Sequence, residues 1–116
     1  MESKEIAILD LSTLLEAFGE FNEDVIDTLK LFLKTISPQL NELRRRLDAG
    51  DRAAAAEVAH AAKGVANTTG ALRLGRLCSD IDIALRQGDE ALARQKLAGI
   101  PVVFAEVSAE IHKLMA

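Results

Sequence analysis

The segment Ala59-His60-Ala61-Ala62-Lys63-Gly64 sets a histidine, a lysine three residues on and a glycine four residues on. On a helix those spacings are one turn, so the three side chains share a face. A neutral imidazole is an adequate nucleophile near neutral pH. Lys63 supplies a mobile cation within reach of an anionic group carried on that ring. Gly64 is the odd choice, because glycine inside a helix costs about 1 kcal/mol relative to alanine and the surrounding segment is full of alanine. A missing side chain one turn after His60 clears the approach to the imidazole. The chemistry that fits is acceptance of an anionic group from a partner that comes close.

The helix that must hold these residues starts at Asp51, a good N-cap followed by an alanine-rich run. Ala55, Val58, Ala62, Val65 and Thr69 recur at threes and fours and are expected to form its buried face. His60, Lys63, Gly64 and Asn67 share another face, with Ala53, Ala56 and Glu57 behind them, so the histidine points away from the core. Ala56, one turn before His60, is also small and extends the strip along which a partner could lie. A solitary surface histidine is usually only solvated, and a helical glycine often admits a neighbouring helix. The joint pattern outweighs both readings.

With Gly70-Ala71 about ten residues beyond His60, the segment resembles the active segment of histidine-containing phosphotransfer (HPt) domains. Ala62, Val65 and Thr69 stand where family members often carry Leu, Ser and Leu, positions that bear on packing more than on chemistry. The resemblance implies that His60 is the phosphorylated nucleophile, that Lys63 stabilises the phosphoryl charge and that Gly64 gives a partner access. It also implies partners: receiver domains of response regulators and a hybrid sensor histidine kinase. The chain would relay a phosphoryl group between receiver aspartates, with Mg²⁺ supplied by the receiver and no cofactor of its own. It would act as a carrier rather than an enzyme. The competing reading is a non-catalytic adaptor that docks a receiver or kinase, and the intact His60, Lys63 and Gly64 argue against it.

Composition excludes other classes. The net charge of −4 disfavours a general basic field for nucleic acid. Arg44-Arg45-Arg46 reads as a helix end meeting its dipole. The single cysteine, Cys78, excludes an internal disulfide framework and a multi-cysteine metal site. No glycine-rich nucleotide loop is present, no acidic cluster suggests a Mg²⁺ pocket, and His60 and His112 lack neighbouring metal ligands. No convergent polar pocket of an unrelated enzyme is visible. Without a signal-like N-terminus or an apolar run long enough for a bilayer, the expectation is a cytoplasmic monomer.

The elements read as all-α: one domain over residues 1–116, an antiparallel four-helix bundle with a short additional N-terminal helix. Residues 1–9 form a locally packed arm. Leu11, Leu14, Leu15 and Phe18 give the short helix, capped by Asp10 or Ser12 and ended by Gly19. From Asn22 a long helix carries Val25, Leu29, Phe32, Ile36, Leu40, Leu43 and Leu47 as a bundle seam. Pro38 should kink it without splitting it. Ala49-Gly50-Asp51 and Gln87-Gly88-Asp89 each place a glycine stop before an aspartate cap. Between them follows a helix with Leu74, Leu77, Ile81, Ala84 and Leu85 inside and Arg73, Arg76 and Asp80 outside. In the last segment Val103, Val107, Ile111 and Leu114 make an apolar stripe, and Pro101 either bends one helix or opens a new one. Matching heights along neighbouring helices puts Gln39, Asn41, Arg76 and Asp80 beside His60, as a receiver-docking surface together with Ala56 and Asn67.

Overall fold

The computed structural model describes residues 6–116; the expected arm over residues 1–9 lies partly outside that range. Six helices follow one another: α1 (Ser12–Phe18), α2 (Glu23–Asp48), α3 (Arg52–Thr69), α4 (Leu72–Arg86), α5 (Glu90–Leu97) and α6 (Ile100–Met115). No strand occurs among the described residues.

Side-chain caps set the starts of α2, α3 and α5. Helices α4 and α6 have none, and the N-cap of α1 is Leu11, not the expected Asp10 or Ser12, with no side-chain cap of its own. The carboxylate of Asp10 accepts the backbone N–H and the hydroxyl of Ser12 at 2.9 and 2.7 Å. Asn22 accepts from Val25 N–H, Asp51 from Ala54 N–H and Asp89 from Leu92 N–H. Each satisfies a donor that the first turn leaves unpaired. Helix α2 runs unbroken through Pro38, as the continuous apolar phase requires. At the second proline the choice goes the other way: α5 ends at Leu97 and Pro101 sits in the first turn of a separate α6, where its missing N–H is harmless.

The α2 seam is buried as read, from Val25 to Leu47. On α6 Val107 and Ile111 are buried, whereas Val103 is half-buried and Leu114 is exposed. Helix α3 packs against both α2 and α4, and here the expected face is rotated. Its buried residues are Ala55, Ala56, Ala59, Ala62, Ala66 and Thr69, with Val58 and Val65 at the margin. A ridge of alanines lets two helices approach it closely, and the branched valines then fit only beside the seam.

A strap holds the α3–α4 turn. Asp10 N–H donates to the Gly70 carbonyl at 2.8 Å, and Arg73 N–H donates to the Ala7 carbonyl at 3.0 Å. The Arg73 guanidinium donates to the Ile6 carbonyl at 3.1 Å and also faces Glu106 on α6. At the other end, Arg94 of α5 reaches the Leu47 carbonyl and Asp48 and ties α5 to the end of α2. No described helix is long and apolar enough to cross a membrane.

Candidate functional site

His60 sits midway along α3, at the edge of its seam with α4, and 61% of its side chain is exposed. One turn on, a Cβ built at Gly64 meets nothing within 4 Å. No neighbouring helix occupies that space, so the glycine is not there to admit one. Lys63 is half-buried beside it.

The residue that completes the site is Asp82 of α4. Its Oδ2 lies 3.2 Å from His60 Nδ1, and its Oδ1 accepts from Arg86 Nε at 2.6 Å. A carboxylate only accepts, so this contact assigns the ring proton to Nδ1 and leaves the lone pair on Nε2. Only 9% of the Asp82 side chain is exposed. It interrupts an apolar stripe formed by Cys78, Ile81 and Leu85, where an acid is tolerated only with partners. The inner face expected from the sequence, Leu74, Leu77, Ile81, Ala84 and Leu85, does not include this acid, and Leu77 is only half-buried where Cys78 is buried. The signal was present, because Asp82 is four residues after Cys78 and three before Leu85.

The other expected docking residues scatter. Asn67 is exposed, but its side-chain oxygen occupies the place a Cβ on Gly75 would take, so its amide lies against α4. Ala56 is not on an open strip: it is 3% exposed. It lies beneath a hollow of about 600 Å³ between the start of α3 and the end of α4, bordered by Arg52, Glu57, Leu85 and Arg86. Gln39 is half-buried, and its side-chain carbonyl oxygen is buried without a hydrogen-bond partner. Asn41 lines a groove with Arg44, Pro101 and Phe104 on the α6 side. Arg76 and Asp80 pair with each other at 3.3 Å and border a groove with Lys96 of α5. Those two do not flank His60. Successive residues turn by about 100°, so Asp80 and Asp82 lie nearly opposite on α4.

The remaining reactive groups stand apart from this site. Burial pushes the Cys78 thiol up to about 12, which leaves it without thiolate character. His112 donates from Nδ1 to the Ser108 carbonyl at 2.7 Å on its own helix. No group of three or more metal-ligating side chains occurs among the described residues.

The described residues form an all-helical protein with an exposed histidine on α3. The family model of the Hpt domain matches residues 27–116. No curated protein and no solved structure matches the chain. The family match spans most of the sequence, and the chain belongs to the Hpt domain family. Hpt domains perform histidine phosphotransfer in two-component systems, as phosphocarriers that use no ATP, together with receiver domains and kinases.

Proposed function

We propose that His60 is the phosphorylated residue and that the chain relays a phosphoryl group between receiver-domain aspartates, including those fed by a hybrid sensor kinase. The observation that carries this reading is the exposed ring of His60 next to the empty space over Gly64. A receiver presents a phospho-aspartate, with its own Mg²⁺. Nε2 of His60 attacks phosphorus in line, and the Lys63 ammonium faces the phosphoryl oxygens. A second receiver's aspartate then takes the group. Supporting the reading, α2, α3 and α4 with the α5–α6 pair suit an antiparallel four-helix core with α1 as the extra helix. Such a core holds the His60 backbone rigid while both partners come and go. The chain works as a cytoplasmic monomer in this reading.

The test is label transfer from a phosphorylated receiver. His60→Gln should lose acceptance by at least about a hundredfold with its helical circular dichroism unchanged. His112→Gln should behave as the parent does. Labelling of His60→Gln at the parent level would place the acceptor elsewhere.

A further inference from the structure

We infer that Asp82 is a fixed counter-charge that lets the phosphoryl group move onto and off His60 without any proton leaving the ring, and that Arg86 positions it. The inference rests on the reading of His60 as the acceptor. Its basis is the pair of contacts already described: Asp82 Oδ2 at 3.2 Å from His60 Nδ1 and Asp82 Oδ1 at 2.6 Å from Arg86 Nε. Both carboxylate oxygens are engaged, in a position where a leucine would have continued the apolar stripe of α4. An acid in such a place loses hydration that only its partners restore.

The step balances as follows. The Nε2 lone pair forms the N–P bond as the P–O bond to the receiver's aspartate breaks. The bonding electrons go to that oxygen, which becomes carboxylate again. The ring still carries its Nδ1 proton and is now cationic, and that charge faces Asp82. On the way out the same proton makes the departing ring a neutral imidazole rather than an imidazolate. Without a carboxylate partner no fixed charge opposes loss of that proton from the cationic ring, and a phosphorylated ring that has lost it is a poorer donor. Other charges near the ring act differently. Glu57 and Lys63 lie one turn away on α3, Arg52 opens that helix, and Arg86 faces Asp82 rather than the ring. Among the described residues the carboxylate within reach of the His60 ring is that of Asp82.

Two substitutions separate charge from hydrogen bonding. Asp82→Asn keeps an oxygen that can accept from Nδ1 but carries no charge, and Asp82→Leu removes both functions while suiting the stripe. Transfer from and back to a phosphorylated receiver is timed from about pH 5 to 9, a range that spans imidazole titration. Ring ¹⁵N shifts report which nitrogen holds the proton, and melting curves report the fold. Asp82→Asn should keep the proton on Nδ1 and keep its fold, yet slow transfer in both directions about tenfold, because a charge-assisted contact is roughly twice as strong as a neutral one. Its return step should fall with rising pH where the parent's is flatter. Asp82→Leu should be slower still and melt no lower than the parent. Parent-like rates and pH profile in folded Asp82→Asn would overturn the counter-charge. Slow transfer with the proton moved to Nε2 would overturn it too, since Asp82 would then act through the tautomer alone. A parent chain that labels at a residue other than His60 would instead defeat the acceptor reading itself.

Discussion

Gly64 lies inside α3 and Gly70, six residues on, just past its end, and they are glycines for opposite reasons. At Gly70 all the space is taken: φ is +102° and a Cβ would stand 1.9 Å from the backbone oxygen of Asp10. Gly75, facing the same end of α3 from α4, is likewise closed, by the Asn67 side chain at 2.0 Å. At Gly64 the backbone is ordinary helix and the space is empty. The turn end of α3 spends its glycines on packing, and the His60 end leaves one unfilled. Helix stability given up where no neighbour requires it points to something that arrives from outside.

Substitution by alanine should expose the difference as a graded series. Gly70→Ala should show the largest effect. The left-handed backbone costs an L-residue about 1–2 kcal/mol, and displacing the strap adds about as much again. A fall in melting temperature of roughly 10 °C is expected for a domain of this size. Loss of hydrogen-exchange protection at Asp10 N–H should accompany it, because that amide is bonded to Gly70. Gly75→Ala should be milder, about 1 kcal/mol or less, because the obstacle is the end of a side chain that can turn away. Gly64→Ala should go the other way and raise stability by up to about 1 kcal/mol, the ordinary alanine advantage in a helix. A melting temperature lowered by Gly64→Ala would mean that the space is not free.

The same contrast explains what could be read from residues alone. The α2 seam carries large side chains at unambiguous phase, and its buried residues are those expected. The paired glycine–aspartate links cap α3 and α5 because that chemistry is local. The phase of α3 was harder. Alanine is nearly as content outside as inside, so Val58 and Val65 drew the face toward themselves; Ala55 and Ala62 lie inside as expected, whereas Ala59 and Ala66 complete the ridge without a signal of their own. That His60, Lys63 and Gly64 share a face is legible because their spacing lies within about one turn. The places of Asp82 and Arg86 are not, because the contact depends on how α4 is rotated about its axis against α3. Sequence height constrains that poorly, and the choice of Arg76 and Asp80 failed for the same reason.

The most direct test of the open face is Gly64→Gln, with melting temperature and phosphoryl transfer from a receiver measured on the same sample. The side chain enters empty space, so the fold should melt at or slightly above the parent temperature. Transfer should fall by at least about tenfold, because a partner held off by even about 1 Å loses in-line alignment. Transfer at the parent rate, or a melting temperature that falls in step with the lost transfer, would contradict the role assigned to this face.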